Sequence, residues 1–164
     1  MEADNGILRG FKQQVYEGGI RTPWIVSWPN KFKGGRTIDT PVISFDILPT
    51  VMDALELSPP EAKQFDGKSI LPLIDGKTDN HHEALFWDTA SPKAGWAVRQ
   101  GEWKLRGDEK GLELYNLTKD PSEKTNLAKK NADRVEALHA RYKAWRAEMA
   151  PPVSQTQQRN RRNR

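Results

Sequence analysis

The chain has 164 residues, about one domain's length, with 36% hydrophobic and 29% charged residues and a mean hydropathy of −0.80. This composition excludes a disordered chain, and the lack of any cysteine excludes disulfides and thiolate metal sites. The net charge of +4 lies in Arg159, Arg161, Arg162 and Arg164: removing those four from 26 basic residues leaves 22 against 22 acidic ones, and a neutral body argues against specific nucleic-acid binding.

In chain order, the first residues, Met1-Glu2-Ala3-Asp4-Asn5-Gly6, lack the basic start and apolar stretch of a signal peptide. No apolar run approaches the roughly 20 residues of a membrane span. Either the protein is cytosolic or its natural N-terminus lies elsewhere. The stretch Leu8 to Pro23 follows, with Gly18-Gly19 flanked by Glu17 and Arg21. Glycines allow positive φ and close backbone packing, so a shaped loop is expected here, leading into a buried strand over Trp24–Trp28. Loops at strand ends are common places for ligand contacts, and Lys12 is the cation this loop offers to an anion. The plainer alternative is a solvated lysine.

Ile47, Leu48, Val51, Met52 and Leu55 recur with helical spacing and predict a helix over 46–57, capped by Asp46, with Pro49 in its first turn and its apolar stripe in the core. Residues 59–80 read as loop around a short apolar plug, Ile70–Ile74. Four short strands are expected at Ala84–Thr89, Trp96–Gln100, Trp103–Arg106 and Leu112–Leu117, with Gly101-Glu102 as a hairpin turn. Their alternation suggests a half-buried antiparallel sheet, with Trp87 and Trp96 in the core. A final helix carries Val135, Leu138, Tyr142, Trp145 and Met149 on one stripe, with Asn126 or Asn131 as its cap. His81-His82 lacks the i, i+4 spacing of a helical zinc pair. The organisation expected is 1–80 as part of an α/β domain, 81–150 as a sheet-plus-helix subdomain, and 151–164 as a disordered basic tail.

Three ordered blocks carry a resemblance. They are Leu8 to Pro23; Ser44-Phe45-Asp46-Ile47-Leu48-Pro49-Thr50; and Trp96-Ala97-Val98-Arg99 through Trp103-Lys104-Leu105, Glu113–Leu117 and Asp120–Glu123 to Thr125-Asn126-Leu127-Ala128. Together they resemble the C-terminal part of a sulfatase, on the side of the family that includes arylsulfatases and N-sulfoglucosamine sulfohydrolase. The resemblance implies an α/β, alkaline-phosphatase-like fold ending in a four-stranded antiparallel sheet packed by a C-terminal helix. It implies sulfate-ester hydrolysis by a formylglycine nucleophile beside Ca²⁺, with Lys12 contacting the sulfate. Glu17 and Arg21 would support the loop, Arg21 pairing with Glu17 or with a nearby carbonyl, and His82 would lie at the substrate rim. Asp4 and Asn5 match the family's metal-binding Asp-Asn-Gly, but only five residues separate Gly6 from Lys12, so a turn is the competing reading.

The nucleophile motif, Cys or Ser followed by x-Pro-x-Arg, is absent at Ser58-Pro59 and at Ser91-Pro92. The resemblance therefore implies a chain inactive by itself, with Ca²⁺ and formylglycine belonging to the complete enzyme and neither demonstrably bound by this chain. Its substrate would be a sulfated small molecule or glycan, its partner the missing N-terminal half, and its location periplasmic or extracellular. Two other readings stand beside this one: a polyanion-binding module using the arginine tail, and a phosphatase or phosphodiesterase relative. A fragment would show slow hydrogen exchange in residues 84–149 and little protection in residues 1–40.

Overall fold

The computed structural model describes residues 4–59 and 65–150. In chain order its elements are α1 (Glu17–Ile20), α2 (Ile47–Ala54), α3 (Leu71–Ile74), β1 (Leu85–Asp88), β2 (Trp96–Gln100), β3 (Trp103–Asp108), β4 (Gly111–Asn116) and α4 (Ala132–Glu148). They fall into two units, Met1–Arg21 with Phe86–Arg164, and Thr22–Leu85. This corrects the division expected at residue 80, because the lysine-bearing segment groups with the sheet. The stretch expected to be a disordered tail lies outside the described residues.

The four strands lie in the order β1-β2-β3-β4, with β2–β3 and β3–β4 antiparallel. Gln100 opposes Trp103, leaving Gly101-Glu102 as the two-residue turn expected. Gly101 has φ +56°, a conformation that glycine adopts without a Cβ clash. One sheet face packs on α4. Val98 opposes Leu105, which opposes Leu114, and all three are fully buried. The Trp96 ring stacks on Tyr142 with centroids 3.8 Å apart, and Leu138 is buried beside it on α4. Side chains of this size contribute about 1.5–3 kcal/mol each when fully buried. The Tyr142 hydroxyl donates to Asp88 at 2.9 Å, and Arg146 Nε pairs with the same carboxylate at 2.8 Å, fixing the helix to β1. Asn131 precedes α4 as expected, although its side chain donates to the Leu127 carbonyl and does not cap the helix. Met149 lies just past the end of α4 and is exposed, and of the stripe Leu138 and Tyr142 are buried while Val135 and Trp145 are half-buried.

The other face differs from the expectation of a half-buried sheet. Alternation places Ala97, Arg99, Lys104, Arg106, Glu113 and Tyr115 there, and Ala97, Lys104, Arg106 and Tyr115 are buried. The segment before Arg21 covers them. Charged residues alternating along these strands mark a second buried face, closed by ion pairs.

In the other unit, a 3₁₀ turn at Ser44–Asp46 leads into α2, which ends at Ala54, earlier than the predicted residue 57. The predicted strand over 24–28 does not form, and Ile25 is 88% exposed. Among the described residues its backbone has no neighbouring strand, and an unpaired strand has little to hold it extended. The α2 stripe is a second correction: Ile47, Leu48, Val51 and Leu55 are exposed rather than core. Ile70, Leu73 and Ile74, on and beside α3, are buried instead.

Candidate functional site

Lys12 sits in a turn closed by the Gln14 amide donating to the Phe11 carbonyl at 3.0 Å. Gln13, the third residue of that turn, has φ +78°, the positive value that a type II turn demands. Lys12 is exposed, and its ammonium makes no hydrogen bond or ion pair among the described residues. The turn thus offers a cation outward.

What holds this turn lies just after it. The single helical turn α1 approaches the backbone of residues 8–14 so closely that a Cβ on Gly18 or Gly19 would overlap the Gly10 and Gln14 carbonyls. The paired glycines serve close approach, and neither has a positive φ. The Gly18 amide donates to the Arg9 carbonyl at 2.7 Å, and the Glu17 amide donates to Glu123 Oε2 at 2.7 Å.

The Glu17 carboxylate is the anchor. Lys104 Nζ lies 2.8 Å from Glu17 Oε1 and 2.9 Å from Glu123 Oε1, and the Lys104 side chain is 0% exposed. Arg99 Nη1 stands 3.8 Å from Glu17 Oε2, so two cations balance two carboxylates. Burial pushes the Glu123 carboxyl up despite the neighbouring ammonium. The expected Glu17–Arg21 pair is corrected: Arg21 is exposed and only its backbone amide reaches Glu17, at the carbonyl. A sheet lysine, not the nearby arginine, supplies the counter-charge.

A second cluster holds the turn from its other side. Tyr16 lies between two guanidinium groups, Arg9 at 4.0 Å and Arg106 at 4.3 Å from its ring centroid. Its hydroxyl donates to Glu113 Oε2 at 2.7 Å and accepts from Arg106 at 2.7 Å. Arg106 also pairs with Glu113 at 2.5 Å and with Asp108 at 2.6 Å. Arg9 donates to the Tyr115 hydroxyl at 3.0 Å and to the Glu123 carbonyl at 2.9 Å.

These contacts couple the loop to pH. Burial alone would raise Glu113, but hydrogen bonds from Tyr16 and Arg106 outweigh it and hold the carboxyl below its usual range. Asp108 is depressed in the same way, burial being overcome by Arg106 and the Lys110 amide. A depressed carboxylate adds stability above its unfolded pKa and loses it as pH falls through the folded value. Glu123, shifted upward, acts in the opposite sense, so Glu113→Gln isolates the effect. The variant is expected to be less stable than the parent near neutrality, with the gap closing as pH falls below about 4, read by urea unfolding at several pH values.

Asp4 and Asn5 build a turn. Asp4 Oδ1 accepts from the Gly6 amide at 2.8 Å, and Asn5 Nδ2 donates to the Gly10 carbonyl at 2.8 Å. Among the described residues they are not part of a cluster of metal-ligating groups. His82 is held against Asp46, its Nε2 lying 2.8 Å from Asp46 Oδ1 and 3.0 Å from Oδ2. Asp46 accepts from the Ile43 and Lys68 amides as well, and these bonds with the His82 contact overcome burial to hold its carboxyl below the usual range. Burial pushes the adjoining His81 ring down. Trp96 is tied up in stacking with Tyr142, consistent with a core role.

A family model described as N-sulphoglucosamine sulphohydrolase, C-terminal, matches residues 10–148. Steryl-sulfatase of Homo sapiens is 42% identical over 83 residues, which cover 50% of this chain and 14% of that protein. N-acetylgalactosamine-6-O-sulfatase of Bacteroides thetaiotaomicron is 30% identical over 149 residues, 81% of this chain and 29% of that protein. A solved structure from work on the metabolism of multiple glycosaminoglycans by Bacteroides thetaiotaomicron matches with a TM-score of 0.72 at 26% identity, covering 87% of this chain and 32% of its own. The chain spans no more than about a third of the length of these relatives. No helix among the described residues is long and apolar enough to cross a membrane. The fold is the C-terminal part of an alkaline-phosphatase-like sulfatase, ending in a four-stranded antiparallel sheet packed by a helix. By the match over residues 10–148 and the relatives that share it, the chain belongs to the sulfatases, in the family of N-sulphoglucosamine sulphohydrolase C-terminal domains.

Proposed function

We propose that this chain is the C-terminal portion of a sulfatase that hydrolyses a sulfate ester, contributing Lys12 as a sulfate contact together with one wall of the cleft. The observation that carries this reading is an outward-facing ammonium on a turn tied to a buried ion network. An ammonium placed in this way stabilises the negative charge that builds on the transferred sulfuryl group and on the departing oxygen. Glu17 and Lys104 act through position, by fixing the backbone that carries Lys12.

The nucleophile and the metal ligands belong to residues outside this chain. The exposed apolar side chains of Ile25, Phe45, Ile47, Leu48, Val51 and Leu55 support this, since a monomer gains nothing by leaving such a group in water. In the complete enzyme they would face the remainder of the α/β domain. A carbohydrate sulfate is the substrate class favoured by the relative acting on N-acetylgalactosamine 6-O-sulfate. The purified chain alone is expected to give no turnover of an aryl sulfate. Turnover that Lys12→Ala abolishes would contradict the proposed division of the enzyme.

A further inference from the structure

Three side chains that the sulfatase reading leaves unused converge in the unit Thr22–Leu85. Asp46 ends the 3₁₀ turn before α2, whereas His81 and His82 lie in the segment leading to β1. One ligand atom from each lies within 4.8 Å of the other two. His82 Nε2 is 2.8 Å from Asp46 Oδ1, and His81 Nε2 is 3.2 Å from Asp46 Oδ2. The side chains of Asp46, His81 and His82 are 0%, 4% and 9% exposed.

The second observation is an orphaned atom. His81 Nε2 is buried and lies 3.2 Å from Asp46 Oδ2, an ion-pair distance, but without the geometry of a full hydrogen bond. Buried polar atoms are nearly always satisfied, and an exception calls for a missing partner. We propose that Asp46, His81 and His82 bind one transition-metal dication of the Zn²⁺ type, with a water as fourth ligand.

The donor set selects the metal. Two imidazole nitrogens and one carboxylate suit zinc and its neighbours, whereas calcium and magnesium require mostly oxygen. Zinc bonds of about 2.0–2.2 Å in a tetrahedron place ligand atoms roughly 3.3 Å apart. The His81–Asp46 distance is already close to that, and the His82–Asp46 pair has to open by only about half an ångström. The carboxylate is already oriented by the Ile43 amide on Oδ2 and the Lys68 amide on Oδ1, the outer bonds that metal-binding carboxylates use. Lys68 Nζ, 3.2 Å from the His81 carbonyl, adds a positive charge nearby. That charge further disfavours ions held by electrostatics alone, and leaves imidazole coordination as the source of affinity. The competing arrangement is a finished Asp46–His82 hydrogen bond with His81 merely packed beside it.

The test uses the full 164-residue chain, stripped with a chelator and titrated with Zn²⁺ against a chromophoric competitor. One equivalent of tightly bound zinc is expected, with Co²⁺ giving the visible bands of a four-coordinate site and a tenfold excess of Ca²⁺ or Mg²⁺ displacing neither. His81→Phe removes the orphaned nitrogen without touching the Asp46–His82 bond, and should weaken zinc binding by about 100-fold or more. His82→Gln keeps a donor toward Asp46 and should weaken binding similarly, so the test survives if one variant misfolds. No stoichiometric binding would overturn the proposal. So would equal affinity in the parent and a folded variant, or displacement of zinc by calcium. None of these outcomes depends on sulfatase activity, so the proposal and the sulfatase reading can fail separately.

Discussion

Replacing Lys104 with methionine is expected to destabilise the sheet unit by about 3–5 kcal/mol, a large fraction of the roughly 5–15 kcal/mol that holds a domain together. The side chain is fully buried and stands between Glu17 and Glu123, within 2.9 Å of a carboxylate oxygen on each. Methionine fills the space but leaves two buried carboxylates, with Arg99, 3.8 Å from Glu17, as the remaining cation near them. Such orphaned charge costs far more than the ion pair gains when intact. Adding Glu17→Gln and Glu123→Gln removes the orphaned charge while keeping an acceptor for the Glu17 amide, and should recover most of the loss. Urea unfolding followed by the fluorescence of Trp96, Trp103 and Trp145 measures both. A loss below about 1 kcal/mol in the single variant would mean the network is dispensable.

Lys12→Ala is expected to behave in the opposite way, leaving stability unchanged and removing activity. Lys12 is exposed and makes no bond among the described residues, so its truncation should fall within about 0.5 kcal/mol of the parent. The functional effect needs the complete catalytic centre. A chimera can supply it, with residues 8–150 replacing the matching segment of the Bacteroides thetaiotaomicron N-acetylgalactosamine-6-O-sulfatase that this chain resembles. In that enzyme Lys12→Ala should lower kcat/KM for a sulfate ester by about 10²–10³, the usual effect of deleting one group that stabilises transition-state charge. Lys12→Arg should recover part of it, since the charge returns with a different shape. An active chimera indifferent to Lys12→Ala would remove the lysine from the site.

The strands, their turns and α4 were legible because local rules govern them. Alternation defines the strands, Gly101 marks a hairpin, and a 3.6-residue stripe identifies the helix. Burial was harder to read. The stripes at 24–28 and 47–55 are apolar and regular, yet pattern alone cannot say whether a partner covers them. The burial of Lys104 was not legible, because its counter-charge sits 87 residues away at Glu17. A sheet face carrying both Lys104 and Arg106 opposite a loop with Glu17 was the available sign of a closed ionic face. The Asp46–His81–His82 cluster escaped for a related reason. Its members come from two segments with no short-range spacing rule to link them.

Hydrogen exchange on the intact chain tests most directly whether the lysine turn belongs to the sheet. Here the structure revises the sequence-based expectation that residues 1–40 exchange freely. The Glu17 amide donates to the buried Glu123 carboxylate and the Gly18 amide to the Arg9 carbonyl, whereas residues 24–28 form no strand. The amides of Glu17 and Gly18 should therefore exchange as slowly as those of β2 and β3, and residues 24–28 much faster. If Glu17 and Gly18 exchange as fast as residues 24–28, the turn carrying Lys12 is not held by the sheet and the account fails.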